Sequence, residues 1–230
     1  MKVNGETREA IFLRRLKRFS ALVGIEGKEE IAYLPNTGRI WQLLTPGQQV
    51  FLAGRHSPTR RTKWDLYLFP LAKTLVWADP RAANSLVFEA LKEGYLPQFQ
   101  GFGRIYKEVN FRGNRIDFLL MNDGQRYLLE AKSVTLVQKG RALFPDAPTQ
   151  RGVRQLKALM EAKRKGYKSG IIFVIQREDA DIFSPNKELD PQFSHTLWEA
   201  IEKGIEAYAC GCEVEIGEIL LGQRVTIALK

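Results

Sequence analysis

Short apolar runs separated by turn residues fill the first third of the chain, at about residues 10–16, 19–25, 30–34, 49–53, 62–69 and 74–78. Gly24, Gly27, Pro35-Asn36-Thr37-Gly38, Pro46-Gly47 and Ser57-Pro58 punctuate them, and runs so short predict strands rather than helices. The expectation is a small all-β module of the size of a five-stranded OB-type barrel. Asp79-Pro80 reads as its boundary, because proline keeps its predecessor out of the helical region and a helical pattern follows over about residues 82–93, stopped by Gly94. Three strand-like runs come next, at about residues 104–110, 115–121 and 126–133. A helix over about 150–165, an apolar strand at 171–175, a helix over about 193–203 and closing strands at about 207–215 and 224–229 complete the pattern. The chain therefore divides into a β domain over residues 1–80 and an α/β domain over residues 81–230, α+β overall.

Composition adds little to the fold and much to the choice of partner. With 44% hydrophobic and 27% charged residues the chain is a globular one, and no run of apolar residues is long enough to cross a membrane as a helix. The polar start, Met1-Lys2-Val3-Asn4-Gly5-Glu6, shows no secretory or transit signal, so a cytoplasmic location is expected. Cys210 and Cys212 are too few for a zinc site, and neither His56 nor His195 lies near them in sequence. The formal net charge of +9 favours a polyanionic partner, since lysines and arginines that replace counterions on phosphates gain release entropy. The bias is N-terminal: residues 1–80 carry 13 basic and 7 acidic side chains. Charge alone does not distinguish DNA from RNA.

The sharpest chemistry lies at a turn. Asn122-Asp123-Gly124-Gln125 joins two strands, and Asp-Gly is a favoured hairpin pair because both positions tolerate positive φ. If Asn122 faces Gln125, facing residue numbers total 247. Asp117 then stands opposite Glu130 on one face, with Lys132 on the same face opposite Arg115. Facing like charges destabilise a sheet unless a cation, a shared proton or neighbouring basic groups compensate. A hard divalent ion, Mg²⁺ or Mn²⁺, suits two such carboxylates, and Lys132 beside it suits phosphodiester hydrolysis. The alternative is a solvated ion-pair lattice of Arg115, Asp117, Glu130 and Lys132. The apolar character of both strands on both faces argues for burial, and so against that alternative.

An acid on one strand and Glu-x-Lys on the next, in helix–three strands–helix–strand order, resembles the PD-(D/E)XK restriction-endonuclease-like nucleases. A fuller resemblance covers nearly the whole chain: it is similar to the sugar fermentation stimulation protein A (SfsA) family. Leu34-Pro35-Asn36-Thr37-Gly38-Arg39, Asn84 with Leu86 and Glu89-Ala90, and Arg115-Ile116-Asp117-Phe118-Leu119-Leu120 carry it. So do Glu130-Ala131-Lys132-Ser133-Val134-Thr135-Leu136 and Phe144-Pro145-Asp146-Ala147 with Thr149 and Arg151-Gly152. The resemblance implies an OB-like domain joined to a nuclease-like domain with a mixed central sheet, DNA binding of low sequence specificity, and a regulatory role in sugar, notably maltose, utilisation. It places Asp117, Glu130 and Lys132 on the nuclease triad, and Glu89 where some such nucleases add a metal ligand, although a solvated helix acid is the alternative there. The chain departs from the family pattern at Asn114, Ala131 and Arg154-Gln155, where a Lys-His pair is common. Gln155 keeps the capacity to hydrogen-bond water or phosphate but not to transfer a proton.

For nucleic acid, Arg14, Arg15, Lys17 and Arg18 sit among Phe12, Leu16 and Phe19, while Arg60, Arg61 and Lys63 precede Trp64. Basic and aromatic residues so interleaved suit backbone or single-strand binding, with the barrel core as the competing place for Phe12, Phe19 and Trp64. Arg39, at a loop tip beside glycine, is the best single candidate. No zinc finger or helix-turn-helix is evident, so binding is expected to be governed by shape and charge. Two readings stand: a metal-dependent nuclease, and a non-catalytic DNA-binding regulator. A basic scaffold without chemistry is the third.

Overall fold

The computed structural model describes residues 1–55, 60 and 62–229; His56 and the candidate Arg61 lie outside the described residues. The first unit holds β1 (Thr7–Lys17), β2 (Ser20–Ile25), β3 (Lys28–Tyr33), β4 (Gln49–Gly54), β5 (Trp64–Leu71) and β6 (Thr74–Trp77). They pair in the order β3-β2-β1-β4-β5-β6, and a parallel pair between Tyr33 and Asp65 joins β3 to β5. That contact closes five strands into an OB-type barrel, with β6 added outside. The β2–β3 turn is tight because Glu26 and Gly27 both take positive φ, which matches the strand twist.

The apolar run of β5 has a physical reason. Trp64, Leu66 and Phe69 fill the barrel, whereas Tyr67 and Leu68 point away into a core shared with the second unit. Both faces of the strand are covered, so alternation disappears.

The second unit begins with α1 (Arg81–Glu93), capped at its C-terminus by left-handed Gly94. Then follow β7 (Arg104–Phe111), β8 (Asn114–Met121), β9 (Arg126–Val134), β10 (Leu136–Gln138), β11 (Arg141–Phe144), α2 (Gln150–Arg164), β12 (Lys168–Ile175), β13 (Ile182–Pro185), α3 (Pro191–Glu202), β14 (Glu206–Glu215), β15 (Glu218–Arg224) and β16 (Thr226–Ile227). The central sheet runs β15-β14-β12-β9-β8-β7. It is mixed: β9, β12 and β14 are parallel, and the rest antiparallel. Alternate residues of β12 show the layering, since Ile172 and Val174 join the core beneath α1 and Ile171, Phe173 and Ile175 the core beneath α2 and α3.

Two differences from the sequence pattern concern short strands. β10, β11 and β13, three or four residues each, build a second small sheet with β16. Segments so short carry too few positions for a period to show. The expected closing strand at 224–229 shrinks to β16, which pairs with β13, and the strand that pairs with β14 is β15 at Glu218–Arg224, which the pattern did not show.

Candidate active site

Asp117 and Glu130 stand on adjacent strands, as the hairpin arithmetic requires. Pairs from Met121–Arg126 to Phe118–Leu129 all total 247. The turn differs from expectation, for neither Asp123 nor Gly124 has positive φ. Instead the Asn122 carboxamide oxygen accepts from Gly124 N at 3.2 Å and Gln125 N at 2.8 Å. An Asx turn sets the register that an Asp-Gly pair was expected to set.

The ladder stops at Phe118–Leu129, and the other neighbour of Asp117 is irregular too. Glu108, which stands opposite it on β7 between the pairs Lys107–Phe118 and Val109–Ile116, takes φ 56°. The Asp117 amide donates to Glu130 Oε2 at 3.3 Å, and Ala131 N donates to Asp117 Oδ2 at 2.9 Å. Each acidic side chain is thus tied to backbone on the other strand. Asn84 of α1 donates to Asp117 Oδ1 at 2.8 Å, and Lys132 Nζ donates to Glu130 Oε1 at 2.5 Å.

Electrostatics follow from burial. Asp117 is 7% exposed and Glu130 only 2%. Desolvation pushes the Glu130 carboxyl up to about 7, with the charge of Asp117 adding to the rise and Lys132 and Arg151 opposing it. Such a carboxyl resists ionisation in the protein by itself, and a bound cation would relieve it. Four carboxylate oxygens with one protein donor each retain lone pairs, and hard oxygen donors suit Mg²⁺, Mn²⁺ or Ca²⁺. Among the described residues no three His, Cys, Asp or Glu side chains gather into a complete metal cage. An ion held here would keep positions for water or phosphate.

The structure brings Asp117, Glu130, Lys132 and Gln155 together in one cleft, whereas Glu89 shares with Asp117 and Asn84 a smaller neighbouring cavity of about 400 Å³. The Glu89 carboxylate is half-exposed and pairs with the N-terminal ammonium at 3.2 Å. The α1 residue that reaches Asp117 is Asn84, named in the sequence among matching positions but without a role. Gln155 has a different use from the one expected. Its Oε1 accepts from Lys132 Nζ at 2.7 Å and its Nε2 donates to the Arg115 carbonyl at 3.0 Å, so the amide holds the lysine. Arg115 itself pairs with Glu108 at 3.7 Å and lines the same cleft as Lys132.

These groups open onto a cleft of about 830 Å³ whose walls come from both units, including Arg18, Arg81, Arg115 and Arg151. Of the aromatic candidates, Phe12 and Trp64 are buried in the barrel, while Phe19 is 43% exposed and stacks on Tyr33 with centroids 5.9 Å apart. Arg18 lies over Phe19, and Arg60 and Arg81 lie over Tyr33. Arg60 and Arg81, with Arg55, also share the buried carboxylate of Asp65. Arg14, Arg39 and Lys63 are exposed. Arg15 is a clamp, since its guanidinium donates to the carbonyls of Arg18, Asn36 and Gly38. Its donors fix the loop that carries Arg39.

Comparison with known proteins agrees with this architecture. Residues 13–77 match the family described as the SfsA N-terminal OB domain, and residues 81–218 that described as the sugar fermentation stimulation protein RE domain. The chain is 40% identical to a sugar fermentation stimulation protein homolog of Clostridium perfringens (strain 13 / Type A), covering 100% of both. It is 37% identical to the homolog of Acetivibrio thermocellus, again over 100% of each. Among solved structures, that of Pyrococcus furiosus SfsA in complex with Ca²⁺ aligns with a TM-score of 0.91 and 29% identity, over 99% of both chains.

Proposed function

The chain belongs to the sugar fermentation stimulation protein family, and from its site we propose a cytoplasmic DNA-binding protein that hydrolyses phosphodiester bonds with a divalent cation. One observation carries the reading: two buried carboxylates, each tied to the opposite strand, lie beside a lysine ammonium at the base of an arginine-walled cleft. Burying two carboxylates is costly unless opposite charge, hydrogen bonds or a bound cation compensate, and one ammonium stands beside the two. Residues 1–80 contribute the barrel wall of the cleft and residues 81–230 its chemistry.

Asp117 and Glu130 would hold Mg²⁺ or Mn²⁺, which when bound withdraws charge from a phosphoryl oxygen and acidifies water. The Ca²⁺ in the Pyrococcus furiosus protein is a hard, oxygen-seeking ion of the same kind. Asn84 and Ala131 N fix the rotamer of Asp117. Lys132, steadied by Gln155, sets an ammonium beside Glu130, where it orients an attacking water or stabilises charge growing on the phosphate. Arg115 and Arg151 line the same cleft and serve to seat neighbouring phosphates. Arg14, Arg18, Arg39, Arg60 and Lys63 extend this cationic surface over the barrel, where backbone contacts confer no base sequence preference.

A second reading, a DNA-binding regulator without catalysis, is favoured by one feature: every oxygen of the two carboxylates already accepts a hydrogen bond from the chain itself. The two separate cleanly. Purified protein is incubated with single- and double-stranded DNA in Mg²⁺ or Mn²⁺ and then in chelator, beside Asp117→Asn and Glu130→Gln. Metal-dependent cleavage abolished in both variants supports hydrolysis. Binding without cleavage over a broad panel of substrates leaves the regulator.

A further inference from the structure

A second cavity, of about 500 Å³, adjoins the cleft, and Leu143 and Asp146 line both. Its volume lies in the range of small-molecule sites. From the barrel it receives Arg39 and Trp41, and from the small second sheet and the loop after it Arg141 and Lys187. Trp41 is 62% exposed, although it sits in a short 3₁₀ turn between two core residues, Ile40 and Leu43. A large indole left in solvent beside the buried Ile40 and Leu43 calls for a partner.

The turn holds the indole in place. Ile40 takes φ 34°, a left-handed conformation rare for a β-branched residue. Gln42 Nε2 donates to the Val137 carbonyl at 3.3 Å, anchoring the turn to β10. Asp146, half-buried, receives the Ile40 amide and lies against Gly38, so close that a Cβ there would fall 2.0 Å from its Oδ2. Backbone held in a sparsely populated conformation by contacts from two units is a pattern that accompanies ligand clamps.

We propose that this cavity is a subsite for an unpaired nucleotide of single-stranded DNA, the base lying on Trp41 and its phosphate facing Arg39 and Lys187. The inference rests on the nucleic-acid reading above and specifies its substrate. A planar aromatic face beside two exposed cations matches the two sides of a nucleotide. A base within a duplex has its face covered by its neighbours and does not reach an indole, whereas a frayed end, a flap or a single strand does. Because Leu143 and Asp146 are shared walls, a strand seated at Asp117 and Glu130 continues into this cavity.

The test measures binding in chelator, where no cleavage takes place, of a fluorescent oligothymidylate and of a blunt duplex of equal length. Trp41→Ala is expected to weaken the oligothymidylate about tenfold and the duplex by far less, with Trp41→Phe restoring most of the loss. The intrinsic tryptophan emission of wild type and of Trp198→Phe should be quenched by the oligothymidylate, and that of Trp41→Phe much less. Equal affinities of Trp41→Ala and wild type for the single strand, or an equal loss on both ligands in a variant that melts like wild type, would overturn the subsite. Cleavage in Mg²⁺, lost in Asp117→Asn, reports separately on hydrolysis, so either reading fails without taking the other with it.

Discussion

Gln155 holds Lys132: its carbonyl oxygen lies 2.7 Å from the lysine Nζ while its amide nitrogen is fixed on the Arg115 carbonyl, 3.0 Å away. The side chain is 2% exposed. It acts on chemistry through the lysine and is a positioning residue.

Gln155→Leu should therefore leave the Arg115 carbonyl without its side-chain donor and the ammonium with one partner, a destabilisation of about 1–3 kcal/mol. If Lys132 serves hydrolysis, the single-turnover rate falls by more than the affinity for DNA. Thermal melting and single-turnover kinetics on one oligonucleotide measure the two effects. A variant that keeps both rate and stability would remove Gln155 from the site.

The raised Glu130 carboxyl gives a pH dependence with a definite sign. Its folded value, about 7, lies above its ordinary value of 4.5. The neutral form is thus favoured by folding, and the associated stability is full below pH 4.5 and lost as pH rises through 7. The shift corresponds to about 3 kcal/mol. Metal-free wild type should lose stability across that window relative to Glu130→Gln, which has no proton to release. Added Mn²⁺ should narrow the difference, and its apparent affinity should fall as pH drops below neutrality. Parallel melting curves for the two proteins at every pH would contradict the assignment.

Gly38 is required by a neighbour rather than by its own φ. A Cβ at this position would overlap the Asp146 carboxylate, 2.0 Å from Oδ2. Gly38→Ala should cost about 1–3 kcal/mol. In the Asp146→Ala background the same change should cost less, because the overlapping group is gone. A double-mutant cycle by chemical denaturation gives the coupling, and strict additivity would mean the two residues do not meet.

Asp65 is 1% exposed and pairs with Arg55, Arg60 and Arg81; against the opposing effect of burial, Arg60 and Arg81 hold its carboxyl below the usual range. Removing it as Asp65→Ala leaves the partly exposed Arg55 and Arg60 without this partner, while Arg81 keeps Asp79, at a cost of about 1–3 kcal/mol. Where the variant still folds, DNA binding should weaken, since Arg60 loses the anchor that sets it over Tyr33, while Arg81 stays held by Asp79 at 2.6 Å. Unchanged affinity in a folded variant would remove Arg60 from the DNA-binding surface.

The barrel strands, α1 and the αβ order of the second unit could be read from period and punctuation because each spans enough positions to show a face. Hairpin arithmetic placed Asp117 opposite Glu130 even though an Asx turn, not the expected positive-φ pair, closes the loop. Arithmetic along two strands sees only those strands. It gave no sign of Asn84, brought to Asp117 by helix packing, nor of the irregular backbone at Glu108 on the strand beside Asp117.

Local sequence, then, determined the strands, the turn and the register, since these depend on residues a few positions apart. Whether Arg15 would be a clamp or a phosphate contact, whether Glu89 would meet a carboxylate or an ammonium, and whether Trp41 would be buried or lie open were decided only in three dimensions. Each outcome depends on how a second segment, distant along the chain, packs against the first. No periodicity records that distance.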